Sequence, residues 1–141
     1  MVKKTMHKSF HLFSYNRRQQ DDFTIIAHRG ASAYYPENTL PSFEGAIAMG
    51  ADMVELDVQF TSDKKVVVFH DEKISRCTNG RGKIADYTLA SLKKLDAGSW
   101  FDKKFQNTRI PALTEVLDVC KNKIAVNIEI KTEAVGKMFV G

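Results

Sequence analysis

Two apolar runs enclose a short polar stretch in the middle of the chain, within Met53–Asp71. In the first run, Val54, Leu56 and Val58 alternate with polar residues, and the second run contains three consecutive valines. Only a short polar connection, residues 62–65, separates the runs. Antiparallel strands can be joined this closely, whereas a parallel crossover needs a dozen or more residues. The pattern therefore predicts a β-hairpin.

The register of this hairpin decides which side chains share a face. With Asp63 and Lys64 as the two turn residues, Asp57 would lie opposite His70. Glu55 is two residues from Asp57 and points the same way, roughly 7 Å along the strand. The hairpin is thus predicted to bring two carboxylates and an imidazole to one patch. A slip of one residue would turn His70 to the other face.

A strand and a helix precede the hairpin. The apolar run Thr24–Ala27 predicts a strand that ends at the turn His28-Arg29-Gly30. Apolar residues at helical spacing predict a helix over Leu40–Met49. The order strand, helix, strand favours a parallel βαβ unit. Taken alone, a His-Arg pair after a strand is more often surface decoration than a site.

The next part of the chain, about 72–110, has a different pattern. It is rich in turn residues and contains a short helix with leucines at helical spacing. We interpret it as an insertion packed beside the main fold. Its aromatic pair, Trp100-Phe101, would form either a small local core or, less commonly, the wall of a ligand site.

Helical spacing resumes after Pro111 and leads into a last buried strand, Ile124–Ile130. Cys120 falls on the apolar face of this helix, which predicts a packed free thiol. Glu129 and Lys131 are two residues apart and share a face at the C-terminal end of the strand. That end is where a βα fold assembles its site.

In a parallel sheet, the polar residues at the ends of these strands collect on one rim. They are His28, Glu55, Asp57, Glu129 and Lys131. Taken alone, Glu55 and Asp57 could equally line the solvent face of an edge strand. They alternate, however, with apolar residues in a strand that a βα fold covers on both sides. Buried carboxylates carry a large desolvation penalty unless they are paired or bind a metal. Three of them facing one cavity predict a hard divalent cation, Mg²⁺, Ca²⁺ or Mn²⁺, rather than zinc.

Two histidines, His28 and His70, fall where the carboxylates converge. Each alone would more often be structural, but together with Arg29 and Lys131 they indicate acid–base chemistry on an anionic substrate. A phosphate ester fits best. The metal and Arg29 would neutralise phosphate oxygens, one imidazole would take a proton from the attacking hydroxyl, and the other would protonate the leaving alcohol.

Composition limits the alternatives. The chain has 141 residues, 43% of them hydrophobic, which suits a single globular domain. Its net charge of +4 is concentrated in a basic arm, residues 1–23, interpreted as a linker or as a contact to an anionic membrane surface. The rest is nearly neutral, so we expect no nucleic-acid binding. With no apolar run as long as a membrane span and no signal-peptide pattern, a cytoplasmic location is expected.

Several short motifs carry a family resemblance. H-R-G, P-E-N-T, V-E-L-D-V, F-H-D and N-I-E-I-K follow one another, with T-N-G-R-G, L-D-A-G-S-W-F and I-P-A-L-T-E-V-L before the last. Together they resemble the glycerophosphodiester phosphodiesterase family over about Thr24–Lys131. The resemblance implies an α/β fold, an incomplete TIM (βα)₈ barrel. Residues 24–141 would supply its N-terminal strands and the small helical insertion of the family.

The resemblance also implies metal-dependent hydrolysis of glycerophosphodiesters to glycerol 3-phosphate and an alcohol, a step of lipid metabolism. Carried over by motif, His28 and His70 would be the acid and base, with the roles of the two left open. The metal ligands, for Mg²⁺ or Ca²⁺, would be Glu55, Asp57 and Glu129, and the phosphate would be held by Arg29 and Lys131. The substrate's own glycerol hydroxyl could attack before water does.

Length is the departure from this pattern, since a (βα)₈ barrel takes about 250 residues. We therefore expect an N-terminal fragment of a longer enzyme. One alternative is an inactive remnant or interaction protein that self-associates through exposed sheet edges. Another is a related phosphodiesterase of the lysophospholipase D type.

Overall fold

The computed structural model describes residues 23–131. Its strands are β1 (Ile26–His28), β2 (Met53–Phe60), β3 (Val66–Val68) and β4 (Ala125–Ile130), and its α-helices are α1 (Leu40–Ala48), α2 (Leu89–Leu92) and α3 (Leu113–Cys120). Short 3₁₀ turns occupy Ile74–Arg76, Ile84–Asp86 and Lys103–Phe105. Nearly all of the predicted basic arm lies outside the described residues, and the predicted domain boundaries stay a prediction. No helix within residues 23–131 combines the length and apolarity needed to cross a membrane.

The sheet is organised around β2. β1 and β4 both run parallel to it, and β3 pairs with it in the antiparallel sense. The predicted βαβ unit is confirmed, because α1 connects β1 to the neighbouring parallel strand β2. The parallel order β1, β2, β4 is that of successive strands in an α/β barrel. The carboxyl ends of three strands therefore meet at one rim.

The predicted hairpin is present, but the predicted register is wrong by one residue. Phe60 pairs with Val66 and Val58 with Val68, and the amide of Phe69 donates to the carbonyl of Asp57 over 2.9 Å. Asp57 thus lies opposite Phe69 rather than His70, which follows the end of the strand.

The reason for the shift lies in the loop. Thr61 pairs with Lys65 across three loop residues, with its amide donating to the Lys65 carbonyl over 2.9 Å. The Thr61 hydroxyl accepts the Lys65 amide at 2.9 Å, and Lys64 takes a left-handed φ of 59°. Three-residue hairpin loops commonly end with such a left-handed residue. The loop therefore holds three residues where two were predicted.

Helix α1 fixes the geometry of the turn after β1. Thr39, in extended conformation, is its N-cap, and the Ser42 hydroxyl accepts the Thr39 amide at 3.2 Å. Pro41 lies in the first turn, where a missing amide donor costs nothing. The buried face of the helix, centred on Phe43, packs on the sheet. Gly50, with φ of 78°, ends it.

Two apolar cores lie on the two faces of β3. The larger core joins the sheet to α1 and α3; its buried members are Phe43, Ala46, Val54, Leu56, Val58, Val68, Val116, Cys120 and Ile124. The second core is built mainly by residues 72–110, called here the insertion segment, and contains Val67, Phe69, Ile74, Cys77, Ile84, Leu92, Ala97 and Ile110. Because neighbouring strand residues point to opposite faces, Val67 and Val68 belong to different cores.

Three aromatic residues of the insertion segment, Trp100, Phe101 and Phe105, pack in a row. Trp100 meets Phe101 edge to face with centroids 5.7 Å apart, and Phe101 meets Phe105 at 5.8 Å. Phe105 in turn contacts Tyr35, which follows β1, at 5.6 Å. The Trp100-Phe101 pair is thus part of a local aromatic core. It links the insertion segment to the turn after the first strand.

Candidate active site

The strand pairing places the acidic residues side by side at the rim. In the register of the parallel strands, Glu55 lies beside His28 on one side, and Asp57 lies beside Glu129 on the other. One carboxylate oxygen from each of Glu55, Asp57 and Glu129 lies within 4.8 Å of the others. We call these three residues the acidic cluster. Glu55 and Asp57 are buried, at 7% and 1% exposure, whereas Glu129 is exposed.

Glu55 is held by one backbone contact. The amide of Arg29 donates to Oε2 of Glu55 over 3.0 Å, whereas Oε1 is buried without a hydrogen-bond partner. Burial raises the pKa of Glu55, and the negative charge of the neighbouring Asp57 raises it further. The Arg29 amide and His28 lower the pKa, but not enough to reverse the shift. The side chain is therefore a carboxylate whose charge the protein only partly compensates.

Asp57 is surrounded by donors. The Asn38 amide donates to Oδ2 over 2.8 Å, and Nε of Arg29 lies 3.4 Å from the same oxygen. Nζ of Lys131 lies 2.8 Å from Oδ1, but that oxygen accepts no hydrogen bond of good geometry. Burial alone would raise the pKa of Asp57; the contacts with Lys131 and Asn38 outweigh it and hold the pKa below its usual value. Asp57 is thus ionised near neutral pH.

The donor set of the acidic cluster fits a hard divalent cation. Two buried carboxylate oxygens, Oε1 of Glu55 and Oδ1 of Asp57, lack hydrogen bonds, and Glu129 offers a third carboxylate close by. Leaving buried charged oxygens unsatisfied is costly, and a metal ion is a common compensation. An all-oxygen set suits Mg²⁺, Ca²⁺ or Mn²⁺.

Lys131 lies between two of the acidic side chains. Its Nζ is 2.7 Å from Oε1 of Glu129 as well as 2.8 Å from Oδ1 of Asp57. Burial would lower the pKa of Lys131, but the contacts with Asp57 and Glu129 raise it overall. The ammonium group is therefore charged and placed beside the cluster, where an anionic ligand would also meet it.

His28 is the last residue of β1, and Arg29 follows it in the turn. Nε2 of His28 is 3.8 Å from Oε2 of Glu55, and its side chain is 66% exposed. Arg29 and Gly30 both have left-handed backbone, with φ of 58° and 79°. A β-carbon on Gly30 would lie 2.4 Å from Oγ and 2.7 Å from the backbone carbon of Ser42. Only glycine lets this turn approach the start of α1 so closely.

His70 reaches the rim although the predicted strand register is wrong. It lies two residues beyond the end of β3, and its Nδ1 is 2.6 Å from Oδ1 of Asp71. The amide group of Gln59 donates to the carbonyls of Phe69, His70 and Asp71 at 2.8–3.0 Å. A side chain of the neighbouring strand, rather than the strand ladder, thus fixes the backbone that carries His70.

Sequence reasoning missed several residues that build the rim. Asn38, buried at 2%, donates to Asp57 and has a left-handed φ of 56°. Glu37 accepts from NH1 of Arg29 over 3.0 Å. Both residues belong to P-E-N-T, one of the motifs that carry the family resemblance, but the motif alone assigned no role to either of them. Asparagine is enriched among the non-glycine residues that adopt a left-handed backbone, so its identity was the available hint of an unusual conformation directly before the N-cap. For Gln59, no signal in the sequence pointed to its contacts.

The fold and the rim define the class of protein: an α/β barrel, present here in part, with an acidic site at the carboxyl ends of its strands. The sequence pattern of the Glycerophosphoryl diester phosphodiesterase family matches residues 28–139. The chain belongs to this family, whose members are phosphoric diester hydrolases. The expected fold class is thereby confirmed.

Individual relatives agree with this assignment. A glycerophosphodiester phosphodiesterase of Caldanaerobacter subterraneus subsp. tengcongensis is 52% identical over 109 residues, covering 77% of this chain and 45% of the relative. The structure of an Oleispira antarctica phosphodiesterase in complex with the product sn-glycerol-3-phosphate has a TM-score of 0.75 and 44% identity, covering 77% of this chain and 44% of that one. A glycerophosphodiester phosphodiesterase of Agrobacterium tumefaciens has the same TM-score of 0.75 at 35% identity, covering 82% and 53%. The chain spans about half the length of the relatives it matches.

Proposed function

We propose that the described residues form the metal-binding and acid–base part of a glycerophosphodiester phosphodiesterase. The reaction is hydrolysis of a glycerophosphodiester to glycerol 3-phosphate and an alcohol. The observation that carries the proposal is the acidic cluster, in which two buried carboxylate oxygens lack hydrogen bonds. His28 lies beside Glu55, and His70 is close enough to Asp57 to help lower its pKa. The product bound to the Oleispira antarctica relative supports the substrate class.

The acidic cluster would hold a divalent cation, Mg²⁺ or Ca²⁺. When bound, such an ion withdraws negative charge from phosphate oxygens and orients the ester. Arg29 and Lys131 add positive charge on the same side, and both are already oriented by contacts with Asp57. These two side chains would bind the phosphate while the cluster holds the ion.

The two histidines would carry the proton transfers. The pKa of Asp71 is lowered to about 2, mainly by hydrogen bonding from Arg76, so its carboxylate is ionised and accepts from Nδ1 of His70. Nε2 of His70 is then the nitrogen that can take up a proton and return it. His28, largely exposed beside Glu55, would serve the opposite side of the ester. One ring would deprotonate the attacking hydroxyl, and the other would protonate the leaving alcohol.

The test is release of glycerol 3-phosphate from glycerophosphocholine, measured with Mg²⁺, Ca²⁺ or a chelator. We expect release that depends on the metal and falls about 10²-fold or more in His28→Ala and in His70→Ala. The matched control is His11→Ala, in the basic arm. Release that survives chelation, or that is unchanged in His70→Ala, would contradict the mechanism. A folded chain that binds metal but releases nothing would show that these residues do not suffice.

Pairing through the sheet edges is a second candidate function. Within the described residues, β1 and β4 each pair only with β2. Apolar side chains are exposed on both, Ile26 at 49% and Ile130 at 57%. Open edges with apolar residues favour association with another strand. Size-exclusion chromatography with light scattering would reveal it as a dimer that Ile130→Lys dissociates; a monomer at every concentration would exclude it.

A further inference from the structure

His70 depends on its neighbour for the orientation of its ring. Because it follows the end of β3, no strand pairing restricts its side chain, which is about a third exposed. The contact that orients the ring is that between its Nδ1 and Oδ1 of Asp71, over 2.6 Å. The position of the Asp71 carboxylate therefore decides which ring nitrogen points to the site.

Asp71 is in turn fixed by Arg76. Nε of Arg76 donates to Oδ2 of Asp71 over 2.6 Å, and NH2 donates to Oδ1 over 3.0 Å. This is a bidentate arrangement, the strongest geometry for an arginine and a carboxylate. Isolated surface ion pairs contribute little, but paired hydrogen bonds of this kind are an exception. The carboxylate is held in one orientation on the ring.

The same guanidinium also reaches the phosphate-binding side of the rim. NH2 and NH1 of Arg76 donate to the two carboxylate oxygens of Glu37 over 2.6 and 3.1 Å. Oε1 of Glu37 accepts from NH1 of Arg29 as well, over 3.0 Å. Arg76 thus stands between the side chain that orients His70 and the side chain that orients Arg29.

The insertion segment holds Arg76 in this place. Its backbone ends the 3₁₀ turn Ile74–Arg76, with Ile74 and Cys77 buried in the second core on either side. The guanidinium carbon lies 6.0 Å from the centroid of the Trp100 ring, within the range of a cation–π contact. The anchor of this arginine is therefore the packing of a segment that itself contributes no member of the acidic cluster.

We propose that Arg76 is a positioning residue: through Asp71 it keeps the His70 ring with Nδ1 protonated and Nε2 free for proton transfer, and through Glu37 it orients Arg29. The proposal rests on the role proposed above for His70. Without the guanidinium, Asp71 is free to turn into solvent. The ring then loses the acceptor that selects its tautomer.

A spectroscopic test reads the tautomer without any need for activity. In ¹⁵N-histidine-labelled protein, at an alkaline pH where the ring is neutral, long-range ¹H–¹⁵N correlation spectra distinguish a protonated from an unprotonated Nε2. His70→Ala identifies the signals. We expect an unprotonated Nε2 in the wild-type chain and a shift toward the protonated form in Arg76→Met. Arg81→Met, the same change at an exposed arginine of the insertion segment, should leave the signal in place. An unchanged His70 signal in Arg76→Met would overturn the proposal.

A conservative variant separates positioning from folding. Arg76→Lys keeps the charge but cannot form the two-sided fork. We expect a signal between those of wild type and Arg76→Met. If Arg76→Met does not fold, Arg76→Lys decides the matter, and a wild-type signal in it would overturn the proposal.

Turnover of glycerophosphocholine gives the functional readout. We expect kcat to fall roughly 10- to 100-fold in Arg76→Met, as is typical when the partner that orients a functional histidine is lost. KM should change less, since Arg29 keeps its contact with Asp57. If the wild-type chain releases no product, these residues do not suffice for the proposed function, but the His70 signal still tests the positioning role.

Discussion

Asp57 in the sheet and Asp96 in the insertion segment are both carboxylates held by several donors, but the donors differ in kind. Asp96 accepts from the amides of Gly98, Ser99 and Asn107 and from the Ser99 hydroxyl, all within eleven residues. Asp57 is held by side chains of Asn38, Arg29 and Lys131 from three distant parts of the chain. Local backbone donors satisfy Asp96, whereas Asp57 keeps an oxygen that accepts no hydrogen bond.

The difference separates a region that contributes mainly to stability from a region that carries the reactive groups of the candidate site. The insertion segment has its own apolar core, and its carboxylate Asp96 is satisfied by neighbours in sequence. The rim gathers like charges that the described residues compensate only in part. Substitutions of buried apolar residues in the insertion segment should therefore lower the free energy of unfolding, whereas neutralising a rim carboxylate should lower metal binding instead.

The largest expected effect comes from the second core. Leu92→Ala removes a fully buried side chain, which should lower the free energy of unfolding by about 2–5 kcal/mol. Urea denaturation would measure it. Leu89→Ala, at a half-buried position of the same helix, is the matched control and should cost less. Hydrogen exchange would compare the two regions directly. We expect the backbone amides of the insertion segment to lose protection before those of β2 do. Equal losses in both regions would mean that they unfold as one unit.

The second-largest expected effect concerns metal binding, which should depend on the rim carboxylates. Ca²⁺ or Mg²⁺ at a hundredfold excess over its Kd should stabilise the wild-type chain by about 2.7 kcal/mol. Glu55→Gln should lose most of this gain and, with chelator, should be at least as stable as wild type, because a partly uncompensated buried charge is gone. Thermal melts with metal or chelator would show it. Glu44→Gln, exposed on α1, should retain the full gain; a full gain in Glu55→Gln would contradict the metal site.

The smallest expected effect concerns acid. Hydrogen bonds from Ser99, Asn107 and Gly98 outweigh the effect of burial and lower the pKa of Asp96 to about 2, from an ordinary 3.8. Since the folded-state value is the lower one, the stabilisation is present above about pH 4 and is lost as the pH falls toward 2. At this partly exposed site it should amount to about 1 kcal/mol.

Asp96→Asn tests the acid effect. At neutral pH the substitution should lower the free energy of unfolding by about 1 kcal/mol. Between pH 4 and pH 2 the stability of the variant should fall less steeply than that of wild type. Asp86→Asn, exposed in the same segment, is the control. Unfolding curves of Asp96→Asn that run parallel to wild type through this range would contradict the role of the carboxylate.

Element types and their order followed well from the sequence, because apolar runs and spacing are local properties. The strand register did not. A two-residue turn was the simplest choice for Asp63-Lys64, but the Thr61 hydroxyl and the left-handed Lys64 build a longer loop. Neither feature has a strong sequence signal, since lysine rarely adopts positive φ. His70 still reached the rim because Gln59 holds its backbone beyond the strand.

The sequence predicted some of the charged residues of the rim but not others. Those that it missed contact partners that are far away along the chain or across a turn. The acidic cluster could be inferred because carboxylates alternate with buried residues in strands. Arg76 could not: its partner Glu37 is 39 residues away, and its other partner, Asp71, is reached across a turn. The hydrogen bonds of Asn38 likewise depend on how α1 packs beside β2. Such contacts exist only once the tertiary structure is formed.

The close approach of Gly30 to Ser42 has a genetic consequence. A methyl group at position 30 would collide with the hydroxyl of Ser42 and also with its backbone carbon, 2.7 Å away. Replacing Ser42 by a smaller residue removes the first collision but not the second. A selection for second-site suppressors of Gly30→Ala should therefore yield none at position 42. Rescue would require changes that shift the whole of α1.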